Sequence, residues 1–382
     1  MGYSTLLFVS IATYLLMALI MYQLGLKQIA HSRYRAYNNV YFFCAILFFA
    51  LMCGLRYRCG VDCESYVDGY NRLLAGNSIS AHREYIEPLY EYPSIFMAHL
   101  RVGRIIYLGF WALIEISFFF LALRTRNYLL PFVGLVLILG PHFGSWNNGI
   151  RQTIASCIFV YALVGILDGK KWWSYFAWIT VAFFMHKSSL LLIPLFFLKY
   201  YNVKPKVYFS VIILLVCVYI GQTGVLRPAF NGAEQLLSFI EYESYAERFD
   251  TILDAEATIK SYGPRRIILL ASYLMIIFFS KKMDSFYPND RLFRVSFFLF
   301  MIYACATELV IGYTSLLTRP FLFFMPFLLI CSGYLLNYIK KTKKNVWYVI
   351  ALVVLCSFSL MSSVASYRNP DETALYKFIF LK

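Results

Sequence analysis

Residues 3–22 read YSTLLFVSIATYLLMALIMY, twenty consecutive positions without a charge. As a helix, a run of that length covers ~30 Å, the thickness of a bilayer's hydrocarbon layer. No basic start precedes it and no small-residue cleavage site follows, so it reads as a spanning helix rather than a cleaved leader. The same texture continues outward along the chain. Of 382 residues, 60% are hydrophobic and 14% charged, and mean hydropathy is +0.64. A water-soluble fold cannot cover so much apolar surface, so the solvent must largely be lipid. The expectation is an all-α polytopic membrane protein, one integral domain over 1–382, not the several soluble domains that length alone suggests.

About twelve transmembrane helices are expected, near 3–23, 39–55, 105–123, 129–142, 150–167, 172–185, 188–200, 207–222, 266–280, 292–312, 320–337 and 346–366. Several fall short of a straight crossing and so should be tilted or broken. Broken backbone at membrane depth needs a protein or aqueous cavity to receive its polar groups, so the short segments point to a cavity. The connecting charges set sidedness. KQIAHSRYR, RTRN, DGKK, KYYNVKPK, SKKMDSFYPNDRLFR and KKTKKN fall on alternate connections, which are taken as cytoplasmic and hold 12 lysines and 6 arginines. The outer side then receives 4 lysines and 13 arginines. Lysine obeys the positive-inside rule and arginine does not. Arginine grips phosphate bidentately and stays protonated, so the outer excess points to an anionic, phosphorylated ligand, with salt bridges to outer acids as the competing use.

Two stretches stand apart. Residues 86–104, IEPLYEYPSIFMAHLRVGR, are apolar but too short and proline-broken to cross, and are expected as an interfacial or re-entrant helix within an outer loop, 56–104. Residues 223–265 form a large outer loop in which apolar positions recur at helical spacing. Of nine cysteines, only Cys59 and Cys63 lie in a polar stretch. Their spacing leaves open a short disulfide or two free thiols, and without neighbouring histidines it argues poorly for zinc.

Four polar clusters interrupt the apolar texture. GLRYRCGVDCESYVDGY, 54–70, reads as a loop after the second span, with Arg56 and Arg58 at the interface, Gly60 allowing a tight turn, and Asp62, Glu64 and Asp68 following. PHFGSWNNGIRQTIA, 141–155, breaks the fourth span and opens the fifth at Arg151 and Gln152, where a helix start favours anions. FFMHKSSLLLIP, 183–194, turns at His186. TSLLTRPFLFF, 314–324, puts Arg319 before Pro320. Arg56, Arg151, Arg265, Arg266 and Arg319 are expected to border the outer leaflet from separate spans, where they could hold the anionic, phosphorylated ligand. Tyr66, Trp146, Asn148 and Gln152 offer rings and amides to sugars. Glu115 and Glu308 lie within spans, each a potential partner for an arginine. No phosphate-binding glycine loop, HExxH or paired CxxC occurs, and the cytoplasmic connections are too short for a nucleotide-binding domain.

RYRCGVDCESY (56–66) resembles the arginine-tyrosine, glycine-x-aspartate, serine-tyrosine stretch of the EpsG family of Wzy-type polysaccharide polymerases. IEPLY (86–90), GIRQTIA (149–155), MHKSS (185–189) and LTRP (317–320) resemble further motifs of that family, in order. Val61 and Cys63 stand where the family often has threonine and an aromatic, and Arg58 where it often has glycine. The resemblance implies a membrane glycosyltransferase of GT-C-like architecture in a bacterial cytoplasmic membrane, working on its periplasmic or exterior face. It would polymerise undecaprenyl-diphosphate-linked oligosaccharides, using no cofactor and no metal. Implied partners are the lipid-linked donor and acceptor, membrane lipids and a chain-length regulator protein, but no nucleic acid. Arginines would neutralise the diphosphate leaving group, and Asp62, Glu87 and His186 are the unranked candidates to receive the acceptor hydroxyl's proton. A lipid-linked glycan ligase and a non-enzymatic transporter or flippase remain the alternatives.

Overall fold

The computed structural model describes residues 3–32, 39–60, 62–78, 87–223, 225, 263–310, 318–366 and 374–381. Every regular element among them is helical. In chain order the helices are α1 (Tyr3–Ser32), α2 (Val40–Leu55), α3 (Cys63–Leu74), α4 (Pro88–His99), α5 (Arg104–Ala122), α6 (Leu130–Leu139), α7 (His142–Asn148), α8 (Ile150–Leu167), α9 (Trp172–Met185) and α10 (Val207–Thr223). The second half adds α11 (Pro264–Phe286), α12 (Arg291–Val310), α13 (Arg319–Leu322), α14 (Met325–Lys341), α15 (Asn345–Cys356) and α16 (Phe358–Ser366). Two 3-10 segments, Arg124–Leu129 and Lys187–Tyr200, join α5 to α6 and follow α9.

The all-α, multi-pass reading holds. Five helices are long and apolar enough to cross a membrane, and seven crossings result if each bent pair counts as one. The bent pairs are the stretch through α6 with α7, turning by 70°, and α15 with α16, turning by 44°. Shorter apolar helices are α2, α9 and α10. The expected segment 188–200 lies in the 3-10 helix Lys187–Tyr200, whose greater rise carries its 14 residues over about 28 Å rather than the roughly 21 Å of an α-helix.

Helix α14 is the core: every residue from Met325 to Ile339 is buried, against α6, α12 and α15. A helix apolar on all sides can be stable only when surrounded. Helix α10 shows the complementary case, exposing Tyr208, Phe209, Ile212 and Tyr219, which suit lipid rather than water.

The 54–70 stretch is less loop than expected. Among its described residues, Arg56–Gly60 and Asp62 precede the helix, and from Cys63 the chain winds into α3, burying Cys63, Val67 and Tyr70 on one side. Cys59 and Cys63 are unbridged and buried. Burial pushes the Cys59 thiol up to about 11, which leaves it protonated and a poor nucleophile near neutral pH. Within 86–104, α4 starts with Pro88 at its first turn and runs 12 residues, about 18 Å, packing on α3 and α9. The 223–265 loop lies outside the described residues except at Thr223, Val225 and the start of α11 from Gly263.

Helices α5 and α8 each run about 27–28 Å, so their ends define two poles. At one pole Arg126 bridges Asp168 (2.9 Å) and Asp290 (3.0 Å), while the Tyr128 and Tyr334 hydroxyls donate to Asp290 at 3.0 and 2.5 Å. That network ties the α8 terminus, the α11–α12 turn and α14 together. The opposite pole, where α8 begins at Ile150, is hollow.

Candidate active site

The hollow is a cavity of about 670 Å³. One wall comes from α3 and its N-cap: Asp62, the adjacent Ser65 and Tyr66, Gly69 and Arg72, which recur every three or four residues and hence share one helical face. The α7–α8 junction supplies Ser145, Trp146, Asn148, Gly149, Arg151 and Gln152. Tyr90 of α4, His186, and Thr318, Arg319, Leu322, Met325 and Pro326 around α13 close the remainder.

Local chemistry explains the junction. The chain breaks at Gly140 and Pro141, makes the seven-residue α7, and breaks again at Gly149 before α8 starts. Arg151 therefore stands in the first turn of α8, where the helix end adds positive potential. Gly60 has φ +101, and a Cβ there would lie 2.4 Å from Asn148 Oδ1. The same Asn148 oxygen accepts from the Asp62 N–H at 3.4 Å. The turn before α3 thus wraps the Asn148 side chain, which only glycine permits.

Glu87 occupies the N-cap position of α4 and its side chain is 7% exposed. One carboxylate oxygen takes Nη1 of Arg151 in an ion pair, and the other meets His186 Nδ1 at 2.9 Å. A carboxylate only accepts, so Nδ1 donates in this contact, and in the neutral ring Nε2 is then the nitrogen that carries the lone pair. His186 itself follows α9 with extended backbone, φ −157° and ψ 115°, its N–H still held by Ala182 O at 2.8 Å. The Arg151 guanidinium lies over the Tyr90 ring at 5.4 Å, and its Nε has no hydrogen-bond partner among the described residues. The indole Nε1 of Trp146 is likewise buried without one. Among the described residues no group of three or more His, Cys, Asp or Glu could hold a metal ion.

Of the residues singled out from sequence, Asp62, Tyr66, Trp146, Asn148, Arg151, Gln152, His186 and Arg319 converge on the cavity, and Glu87 supports it from behind. Arg56, Arg265 and Arg266 do not line it. Arg56 is 1% exposed, donating to Cys53 O at 3.0 Å and to the Asn147 side chain, so it braces α7 from within. Arg266 is buried and paired with Glu308 at 2.7 Å across α11 and α12. A buried guanidinium needs its counter-charge, which explains the diversion. Arg265 is exposed one residue earlier. Glu115 is buried, as expected of a mid-span acid. Sequence reasoning missed Arg72, Ser65 and Gly69. Their signal was the 3–4 spacing from Asp62, hidden because the stretch was read as a loop.

Comparison with curated proteins finds no match, and comparison with solved structures finds none. A family model, however, matches residues 39–379, nearly the whole chain. That span takes in α3, the Glu87–Arg151–His186 contact and Arg319 together, so the chain belongs to the EpsG family of Wzy-like polysaccharide polymerases.

Proposed function

We propose that this polysaccharide polymerase joins undecaprenyl-diphosphate-linked oligosaccharides on the outer face of a bacterial cytoplasmic membrane. In this reading the chain crosses about twelve times in a GT-C-like architecture, with α4 lying in the outer interface. The lysines support that sidedness: KKTKKN and DGKK lie at the pole opposite Arg151.

The growing glycan enters as donor on its lipid diphosphate, and the acceptor is a sugar hydroxyl of an incoming lipid-linked unit. His186 Nε2 takes the hydroxyl proton as the oxygen attacks the donor's anomeric carbon. The bond from that carbon to the diphosphate oxygen breaks, and its electron pair leaves with the diphosphate. Arg151 and Arg319 neutralise the charge that develops there. Glu87 orients His186 and holds Arg151, and the α3 wall with Trp146 and Tyr66 offers hydroxyl-binding groups and rings to the sugars. Leu322, Met325 and Pro326 give the cavity an apolar side suited to the first isoprene units. Arg265 and Arg266 drop out of the diphosphate role, and Arg56 acts through Asn147.

The observation that carries this reading is the contact of one buried carboxylate with both an arginine and a histidine that line the same cavity as Arg319. The test is chain extension by purified protein on an undecaprenyl-diphosphate-linked repeat unit. Arg151→Ala and Arg319→Ala, each well expressed, are expected to lower extension roughly 100-fold or more. Polymer of normal length from both would overturn the assignment, and a null strain accumulating unattached polymer would make the chain a ligase instead.

A further inference from the structure

Gln152 neighbours Arg151 and reads from sequence as a sugar contact. Its side-chain nitrogen instead donates to the backbone carbonyl of Arg319 at 2.5 Å. One turn further along α8, the Ser156 hydroxyl, buried at 1% exposure, donates to the carbonyl of Phe323 at 2.7 Å. Two donors four residues apart on one helix thus meet two carbonyls four residues apart on another segment.

The acceptor side is built for this. Pro326 has no N–H for Leu322 O and its ring crowds that carbonyl, so the helix breaks between α13 and α14. The Phe327 N–H, which a continuous helix would direct to Phe323 O, goes to Phe324 O at 3.0 Å. Ser156 takes up the Phe323 carbonyl. Helix α13 is four residues long, too short to hold itself in place, and it packs on α8 and α12. The position of Arg319 is therefore set by its neighbours.

Resting on the diphosphate reading above, we infer that Gln152 and Ser156 are positioning residues: a two-point clamp from α8 that fixes Arg319 relative to Arg151, and so the gap across which a diphosphate is gripped. Arg151 is covalently adjacent to Gln152, so the Gln152–Arg319 bond is a short mechanical link between the two guanidinium-bearing segments. Bidentate oxyanion recognition tolerates little misplacement, and an error of about 1 Å in a reacting site can cost ~100-fold.

The probe is undecaprenyl diphosphate, whose binding to full-length protein in detergent is measured beside chain extension. Gln152→Ala is expected to weaken binding at least tenfold. In an Arg319→Ala background the same change should alter binding less than twofold, because the residue acts through Arg319. Gln152→Glu keeps the size and can still accept from sugar hydroxyls, but cannot donate to a carbonyl, and should behave as Gln152→Ala. Ser156→Ala should fall in the same direction, and Ser156→Thr, which keeps the hydroxyl, should restore wild-type binding. Equal losses in both backgrounds would overturn the clamp. So would a changed acceptor KM with unchanged diphosphate binding, which puts Gln152 on the glycan. If Arg319→Ala alone leaves diphosphate binding unaltered, the diphosphate reading itself fails and the clamp with it.

Discussion

Glu87 holds two partners with one carboxylate, a guanidinium and an imidazole. Arg151 and His186 approach different oxygens of the same buried group, so in the proposed reaction its charge would serve both the electrostatics of the leaving group and the orientation of the base. Glu87→Gln keeps the shape, removes the charge and lets an amide N–H face His186 Nδ1 or Arg151. Chain-extension rate is expected to fall roughly 100- to 10,000-fold with the protein still folded, the range of a lost acid–base contribution. A rate within a few-fold of wild type would remove Glu87 from the mechanism. The residue types at this site were legible in sequence: a lone histidine at a turn, arginines beside helix starts, a glutamate before proline. Their ranking was not, because Glu87, Arg151 and His186 are 64 and 99 residues apart along the chain and only folding joins them.

At the scale of elements, α3 decides whether the cavity has a polar wall, and its entry turn is the sensitive point. Gly60→Ala strains a positive-φ position by about 1–3 kcal/mol and drives a Cβ into Asn148. Gly76→Ala, at φ +82 with nothing within 4 Å, applies backbone strain without that collision. Both variants should accumulate somewhat less, measured by fluorescence-detected size exclusion, but Gly60→Ala alone is expected to shorten the polymer, read on gels of extracted glycan. Equal polymer length in the two would detach the turn from the site. The sequence supported a turn at Gly60 but hid the helix after it, since Asp62, Glu64 and Asp68 made the stretch read as solvated loop. Its helical face emerges only once Cys63, Val67 and Tyr70 have a core to enter.

For the whole molecule, Arg266 and Glu308 join α11 to α12 through a pair with side chains 9% and 1% exposed. Breaking it from one side leaves the other charge buried. Arg266→Met and Glu308→Gln should each lower stability by about 3–5 kcal/mol, while the double change should cost much less than their sum. Thermal unfolding of the detergent-purified proteins measures this, and additive losses would mean the two groups do not depend on each other. Arginine near a span end is ambiguous from sequence, because the same side chain suits a phosphate or a carboxylate, and the choice lies with whichever partner the packing delivers.

What the sequence determined by itself is the solvent and the class. Runs such as 3–22, a lysine bias on alternate connections and polar clusters at the breaks follow from transfer energies that act residue by residue, so no partner is needed to read them. Only the tertiary structure decided which cations face the hollow and which brace the bundle, why Gln152 turns to a carbonyl, and that one carboxylate unites two distant motifs. Hydrogen bonds and ion pairs depend on separations of a few ångströms between groups far apart in the chain, and helical periodicity leaves those separations open until α8, α13 and α4 have packed.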